Sequence, residues 1–199
     1  MSTPVAAMHG LDEPSRWVRD WAHLVAAGGV VLDVASGAGR HARLFASLGH
    51  PVIAIDRDAA ALDTLRGEPL ITPLVADLEG AAWPLSDNAR FAAVVVTNYL
   101  HRPLFAQLLR SLAPGGVLVY ETFAQGNESV GKPSNPAFLL APGELLERVR
   151  GQLRVVAFQD GFLAQPRPAY VQRICAILET QRPDGPAQAV SPPCYELAG

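Results

Sequence analysis

The sequence has little cysteine and no long apolar run. Two cysteines, Cys175 and Cys194, among 199 residues are too few for the disulfide framework of a secreted domain, and they favour a reducing compartment. No run of about 18 apolar residues occurs, and no basic segment leads into an apolar one, so the sequence predicts neither a membrane span nor a signal peptide. We therefore expect a soluble, cytoplasmic protein.

Lysine is also scarce, because fifteen of the sixteen basic residues are arginine and Lys132 is the only lysine. The formal net charge is -3, which gives no global electrostatic support for a nucleic-acid or anionic-membrane partner. Hydrophobic residues make up 49% of the chain and charged residues 18%, a balance typical of an ordered globular protein. The length suits one domain with a sizeable core. Nothing here indicates an oligomeric state.

One stretch organises the rest of the chain. Val30–Val34 is a short apolar run rich in β-branched residues, which predicts a buried strand. It leads into Ser36–Gly39, where two glycines allow a tight turn close to a ligand. His41–Leu48 then has a helical apolar face, and Pro51–Ile55 predicts a second strand that is closed by Asp56. This βαβ pattern with a glycine-rich first turn is typical of nucleotide-binding proteins.

Asp33 discriminates between nucleotides. The segment Gly37–Ala42 formally fits the dinucleotide fingerprint, and Asp56 lies about where a ribose-binding acid is expected. However, a carboxylate inside an apolar strand costs several kcal/mol to bury without a partner. The phosphates of a dinucleotide would be repelled by Asp33, whereas the methionine ammonium of S-adenosylmethionine would pair with it. The strand therefore favours the sulfonium cofactor.

These residues carry a family resemblance. The segment Asp33–Gly39 resembles the first motif of class I S-adenosylmethionine-dependent methyltransferases, with Ala35 in place of its first glycine. Arg40 follows, as in the subgroup that includes the tellurite-resistance methyltransferases. The resemblance spans roughly residues 15 to 178 and implies a methyl-transferring enzyme with a small-molecule acceptor such as a chalcogen oxyanion or a thiol. Three later segments also match the family: residues 75–78, 93–98 and 112–116.

The resemblance implies an α/β fold, a three-layer Rossmann-like sandwich. Its sheet would have about seven mostly parallel strands in the order 3-2-1-4-5-7-6, with the last strand antiparallel. We expect one domain over residues 1–179, with an N-terminal helix at about 13–27. Residues 123–142 have no periodicity and predict a substrate lid, or else a solvated connector. The proline-containing tail, 180–199, is predicted to be mobile, like the arm at 1–11.

The cofactor residues follow from the motif and from chain position. Two ribose hydroxyls would donate to Asp56, although a helix N-cap is the competing interpretation. The resemblance implies that Asp77 and the backbone N–H of Leu78 bind the adenine. Arg40 would bind the methionine carboxylate or else be a surface residue. The predicted cofactor-binding residues are Asp33, Ala35, Gly37, Gly39, Arg40, Asp56, Arg57, Asp77, Leu78 and Asn98.

The substrate should bind beyond the fourth strand, because ligands of open α/β sheets lie outside the carboxyl ends of the strands. The predicted substrate-binding residues are Tyr99, His101, Arg102 and Lys132. The segment lacks the Asn-Pro-Pro-aromatic pattern of enzymes that methylate DNA bases or glutamine. In-line methyl transfer needs little acid–base chemistry. If a general base is used, His101 and Glu121 are the plausible catalytic residues. No metal is predicted.

Two other classes remain open from the sequence. An NAD-dependent oxidoreductase would use the same βαβ unit, but it would leave Asp33 without a partner and would not explain Asp77. A non-catalytic binding module with a methyltransferase-like fold would keep the architecture without turnover. The presence of Asp33, Gly37, Gly39, Asp56 and Asp77 together argues against such a module.

Overall fold

The computed structural model describes residues 13–180 and 193–198. Its strands form one seven-stranded sheet. In chain order they are β1 (Val31–Val34), β2 (Val52–Asp56), β3 (Ile71–Val75), β4 (Phe91–Thr97), β5 (Leu112–Phe123), β6 (Arg154–Leu163) and β7 (Ala169–Ile177). The order across the sheet is β3-β2-β1-β4-β5-β7-β6. Strand β7 runs antiparallel to both β5 and β6, while the other pairs are parallel. The predicted fold class is therefore confirmed.

The centre of the sheet is made by the most apolar strands. All four residues of β1 are buried, and its Asp33 pairs in register with Ala54 of β2 and Val95 of β4. Strand β3 lies at the edge, which allows Pro73 in the strand because an edge strand has N–H groups that need no ladder partner. The carboxyl ends of β1 to β5 consequently meet at one edge of the sheet.

Helices cover both faces of the sheet, as a three-layer fold requires. Those in the described residues are α1 (Arg16–Trp21), α2 (Arg40–Ser47), α3 (Ala59–Asp63), α4 (Phe105–Arg110) and α5 (Glu144–Val149). One buried cluster joins the sheet to α1, α2 and α3 through Trp17, Phe45 and Leu62. A second cluster joins the other face to α4 and α5 through Leu108 and Leu145.

The first helix is shorter than the predicted 13–27. Helix α1 begins after Ser15, whose hydroxyl oxygen accepts a hydrogen bond from the backbone N–H of Trp17. It ends at Trp21, and a 3₁₀ turn over Ala22–Leu24 follows before the chain becomes extended at Val25. Periodic apolar residues continue through this turn, so the sequence pattern alone could not show where the α-helical hydrogen bonds stop.

Strand β5 contains an irregularity near its start. Its pairing with β4 begins at Leu112, and the register shifts between Phe91 and Ala93. The Pro114–Gly116 segment forms this irregularity inside the strand, with Gly115 at φ 80°. A bulge accommodates the extra residues without ending the strand.

The ends of the chain are only partly described. The predicted arm at 1–11 and tail residues 181–192 and 199 lie outside the described residues. Within 193–198, the Tyr195 and Ala198 side chains pack against the core cluster that contains α1, and the Glu196 carbonyl lies 3.0 Å from His23 Nε2. None of the helices in the described parts is long and apolar enough to cross a membrane.

Candidate active site

A cavity of about 510 Å³ opens at the carboxyl ends of β1 to β4. It lies where ligands bind in open α/β sheets. Its lining residues are Ala35, Ser36, Gly37, Ala38, Arg40, Arg43, Asp56, Arg57, Ala76, Asp77, Leu78, Glu79, Thr97, Asn98 and Tyr99. Eight of the ten predicted cofactor-binding residues are in this set, and Asp33 and Gly39 are the two that are not. We refer to this space as the first cavity.

The turn between β1 and α2 is held by backbone conformations that favour glycine. Gly37 and Gly39 have φ values of 55° and 77°, and Ala35 has φ 53° although it carries a Cβ. A Cβ at Gly37 would meet nothing within 4 Å, whereas one at Gly39 would lie 2.5 Å from a Leu65 methyl carbon. Gly37 thus leaves space for a ligand, while Gly39 permits packing of α2 on Leu65. Gly39 does not line the first cavity, and its role in cofactor binding stays a prediction.

Asp56 ends β2 and holds the glycine turn. Its Oδ2 accepts a hydrogen bond from the Gly37 backbone N–H at 2.7 Å, and its Oδ1 accepts one from the Asp58 N–H at 2.9 Å. Asp58, and not Asp56, caps α3. Each carboxylate oxygen retains a second lone pair, so both can still accept from ribose hydroxyls.

Asp77 follows the carboxyl end of β3 and lines the first cavity. Its Oδ1 accepts a hydrogen bond from the Glu79 backbone N–H at 2.9 Å, and this bond is the main reason that the pKa of Asp77 is lowered. The positive charge of Arg57 and the nearby His101 ring act in the same direction. Tyr99 lies near the carboxylates of Asp77 and Glu79. Burial raises the pKa of the Tyr99 phenol, and the neighbouring Glu79 raises it further.

Asp33 is buried beneath the turn, with 1% of its surface exposed. Burial raises its pKa from 3.8 to about 7, although the Ala42 backbone N–H and the charge of Arg40 oppose this shift. Within the described residues its Oδ2 atom has no hydrogen-bond partner. An ammonium group, directly or through a water molecule, is the kind of donor that this oxygen lacks. The residues thus fit a cofactor with a methionine ammonium, although Asp33 does not itself line the cavity.

The sequence predicts no role for His41, which is buried beside the glycine turn. It is buried in the first turn of α2, and burial lowers its pKa to about 3, so the ring is neutral. Its Nε2 accepts a hydrogen bond from the Ser15 backbone N–H at 3.1 Å, which places the ring proton on Nδ1, 3.4 Å from Thr97 Oγ1. His41 therefore ties the segment before α1 to the glycine turn. No local sequence signal distinguishes it from a surface histidine.

A second cavity of about 540 Å³ adjoins the first, and Arg40 and Asn98 line both. Residues before and within α1 form one wall, and the connection between β6 and β7 forms another. Its lining residues are Glu13, Pro14, Ser15, Arg16, Arg19, Arg40, Asn98, Glu121, Phe123, Leu163, Gln165, Pro166, Arg167, Ala169, Val171 and Arg173. Asn98 has φ 54°, a strained conformation at the junction of the two cavities.

Both oxygens of Glu121 are engaged. Oε1 accepts a hydrogen bond from the Ser15 hydroxyl at 2.8 Å, and Oε2 pairs with the Arg173 guanidinium at 3.2 Å. Glu121 thus lines the second cavity as an ion-paired anchor for the segment before α1. His101, the other predicted catalytic residue, is half-buried beside Asp77 and lines neither cavity.

Arg102 and Lys132 do not reach either cavity. The Arg102 guanidinium pairs with Glu144 at 2.9 Å, and it also donates to the carbonyls of Ala137 and Leu139. Lys132 is exposed. Arg102 holds the segment that precedes α5, and a substrate-binding role for these two residues stays a prediction.

The predicted lid is also held in place. Ala124 and Leu140 form a parallel bridge, and Asn127 donates from its side chain to the Pro133 carbonyl at 3.0 Å. Leu139 and Leu140 are buried. Of residues 123–142 only Phe123 lines a described cavity. The other residues that line the second cavity come from other segments, and a lid over 123–142 stays a prediction.

Comparison with known families agrees with the resemblance seen in the sequence. Residues 31–116 match the family model described as "Methyltransferase domain". This segment contains β1 to β4, the glycine turn, and both Asp56 and Asp77. No curated protein sequence matches the chain.

Solved structures share the fold. TehB from Haemophilus influenzae superposes with a TM-score of 0.66 and 18% identity, over 87% of this chain and 63% of that one. A SAM-dependent methyltransferase from Aquifex aeolicus gives a TM-score of 0.62 and 20% identity, over 85% and 95%. The glycopeptide N-methyltransferase MtfA complexed with S-adenosyl-L-methionine gives 0.59 and 20%, over 88% and 100%. The predicted likeness to class I methyltransferases, TehB among them, is thus confirmed at the level of the fold.

Proposed function

We propose that this chain, whose residues 31–116 match a methyltransferase domain, is an S-adenosylmethionine-dependent enzyme that methylates a small-molecule acceptor. The observation that carries the proposal is the first cavity. Its walls bring together the glycine turn, Asp56 and Asp77 at the carboxyl edge of the sheet. The solved neighbours include a methyltransferase complexed with S-adenosyl-L-methionine.

The chain's own residues would divide the cofactor among them. Asp56 accepts from the ribose hydroxyls while it holds Gly37 in place, and Asp77 with the Leu78 backbone binds the adenine. Asp33 provides negative charge beneath the turn for the ammonium, and Arg40 provides positive charge for the carboxylate. From β1 through β2 to β3, the residues would therefore contact the methionine, ribose and adenine parts of the cofactor in turn.

When bound, S-adenosylmethionine supplies an electrophilic methyl group on a sulfonium. A lone pair of the acceptor forms the new bond to the methyl carbon, and the electrons of the carbon–sulfur bond remain on sulfur, giving S-adenosylhomocysteine. A proton that the acceptor carries is lost to water or to a base. The enzyme's contribution is chiefly to hold acceptor and donor in line, an effect worth roughly 7 to 11 kcal/mol at best.

No side chain that faces both cavities is a suitable general base. Arg40 and Asn98 are the shared residues, and neither accepts a proton at neutral pH. The two oxygens of Glu121 are already engaged by Ser15 and Arg173. The proposed reaction therefore suits an acceptor that is nucleophilic without proton abstraction, such as a thiolate or another anion.

Calorimetric titration with S-adenosylmethionine and with NADH tests the cofactor. We expect S-adenosylmethionine to bind more tightly, and tighter binding of NADH would favour the oxidoreductase. Mass spectrometry of reactions with a panel of thiols, chalcogen oxyanions and amines then tests catalysis through the formation of S-adenosylhomocysteine. Cofactor binding without product from any acceptor would favour the non-catalytic module.

A further inference from the structure

The second cavity has a charge opposite to that of the whole chain. Five arginines line it, against the carboxylates of Glu13 and Glu121. The complete chain has a formal net charge of -3. A concentration of guanidinium groups in one concave site, on an acidic protein, focuses a positive potential there and attracts anions.

Not all of these arginines are available to a ligand. Arg173 pairs with Glu121 and lies over the Trp17 ring at 4.9 Å, so it has a structural role. Arg16 pairs with Asp20 at 3.5 Å. Arg19 and Arg167 form no ion pair within the described residues, and both side chains are exposed. Arg19 belongs to α1 and Arg167 to the β6–β7 connection, so the two arginines line different walls of the cavity.

Four apolar side chains also line the second cavity. Phe123, Leu163, Ala169 and Val171 belong to one small hydrophobic cluster beneath the cavity. The Arg167 guanidinium lies 5.9 Å from the centre of the Phe123 ring, at the border between the charged and apolar parts. A volume of about 540 Å³ is in the range of sites that hold drug-sized molecules, and it is far larger than a small oxyanion requires.

We propose that the second cavity binds the methyl acceptor, and that this acceptor is an organic anion whose carboxylate or phosphate contacts Arg19 and Arg167 while its apolar body packs on Phe123, Leu163 and Val171. The inference rests on the proposed function, because only a methyltransferase gives the neighbouring cavity a methyl donor. Arg40 and Asn98 connect the two sites, so an acceptor seated here lies next to the donor. Planar guanidinium groups bind carboxylate and phosphate through paired hydrogen bonds, which suits this role.

The test uses the protein saturated with S-adenosylhomocysteine and measures ligand affinity by calorimetry. The probes are paired acids and amides of equal shape: 4-mercaptobenzoate with 4-mercaptobenzamide, and hexanoate with hexanamide. Sodium selenite serves as the bare oxyanion. We expect at least one acid to bind roughly tenfold more tightly than its amide, and added salt to weaken only the acid.

Three variants locate the binding. Arg19→Gln and Arg167→Gln should each weaken the acid by roughly three- to tenfold and leave the amide unchanged, since these arginines are exposed and partly screened. Arg110→Gln, at the end of α4 and outside both cavities, is the matched control and should change neither affinity. None of the three residues lines the first cavity, so S-adenosylmethionine affinity should stay within twofold of the wild type, on the order of RT ln 2 or less.

The inference is overturned if neither acid binds more tightly than its amide, if the arginine variants bind the acids like wild type, or if selenite binds as tightly as the acids. Its failure is separable from failure of the proposed function. Retained S-adenosylmethionine binding with no acid preference rejects only the acceptor class. Loss of S-adenosylmethionine binding by the wild-type protein rejects the methyltransferase assignment itself.

Discussion

Asp56 Oδ2 accepts a hydrogen bond from the backbone N–H of Gly37 at 2.7 Å, so the carboxylate at the end of β2 holds the turn at the end of β1. The residue expected to bind a ribose thus also fixes the loop beside which that ribose would lie. Ligand contact and loop geometry are coupled through one side chain.

Asp56→Ala should therefore weaken S-adenosylmethionine binding by about 1 to 3 kcal/mol, the scale of lost hydrogen bonds to a charged group. Both the ribose acceptor and the tether of Gly37 disappear. Calorimetry measures the dissociation constant, and Asp63→Ala, an exposed acid paired with Arg66 in α3, is the matched control. An unchanged dissociation constant in Asp56→Ala would show that the ribose is bound elsewhere.

Gly37→Ala and Gly39→Ala should have different effects although the two positions are two residues apart. Both have positive φ, so each alanine costs about 1 kcal/mol of backbone strain. Only Gly39 would also place a Cβ 2.5 Å from Leu65, in a packed region where overpacking costs roughly 1 to 3 kcal/mol more. We expect Gly39→Ala to be the less stable in urea denaturation and Gly37→Ala to lose more cofactor affinity. Equal stabilities would contradict this division of roles.

Asp33 and His41 should make opposing contributions to the pH dependence of stability. Between 3.8 and about 7, Asp33 is protonated in the folded protein and ionised in the unfolded chain, so its contribution falls as pH rises. Between about 3 and 6.5, His41 is neutral in the folded protein and protonated in the unfolded chain, so its contribution rises with pH. Above pH 4.5, which is the ordinary pKa of a glutamate, the ion-paired Glu144 is ionised in both the folded and the unfolded chain. Protonation of Glu144 therefore does not change the stability in this range.

Asp33→Asn should accordingly show stability that rises between pH 4.5 and 6.5, and His41→Gln should show stability that falls over the same interval. In the wild-type protein the two slopes largely cancel. Chemical denaturation at several pH values between these limits measures the slopes. Parallel curves for the two variants would mean that burial does not shift these two groups as described.

Ser15→Ala should affect the acceptor more than the cofactor. The substitution removes the helix cap of α1 and the hydrogen bond to Glu121, and it should lower stability by about 1 to 2 kcal/mol. The backbone bond to His41 remains. Steady-state kinetics should show a raised KM for the acceptor with S-adenosylmethionine affinity little changed, because Ser15 lines only the second cavity. A loss confined to S-adenosylmethionine binding would contradict this placement.

Arg102→Gln tests whether that residue binds substrate or supports the fold. The Glu144 side chain is 12% exposed and would keep its pair with Arg148, so loss of the Arg102 hydrogen bonds should cost about 1 to 3 kcal/mol. We expect a lower urea midpoint and an unchanged KM. The reverse result, a raised KM at normal stability, would restore the substrate-binding role predicted from the sequence. Arg150→Gln, which breaks an exposed pair with Glu147, is the control.

The strands and the glycine turn were predictable because their patterns are local. A continuous apolar run such as Phe91–Thr97 reports burial on both faces, and the position of Asp56 follows from the length of the βαβ unit. Eight of the ten predicted cofactor-binding residues line the first cavity for that reason. Gly39 is not among them, and its glycine motif does not reveal that Leu65 packs against it.

The second cavity was not predictable, since its parts come from distant segments. Arg19 precedes the first strand and Arg167 lies between the last two, and only the antiparallel insertion of β7 beside β5 brings those regions together. Arg102 and Lys132 were predicted to bind substrate because they are cations in loops expected near the carboxyl edge of the sheet. Arg102 pairs instead with Glu144, and Lys132 is exposed to solvent. Neither the motif nor the residue spacing indicates these environments.

Arg40 and Asn98 line both cavities. A substitution at either position alters both binding surfaces at once, so it would change the affinity for the methyl donor and for the acceptor together. Order-of-addition experiments on such variants would report a mixture of both affinities. Residues that touch one compartment alone, Asp77 on one side and Arg167 on the other, are the positions from which each ligand can be studied separately.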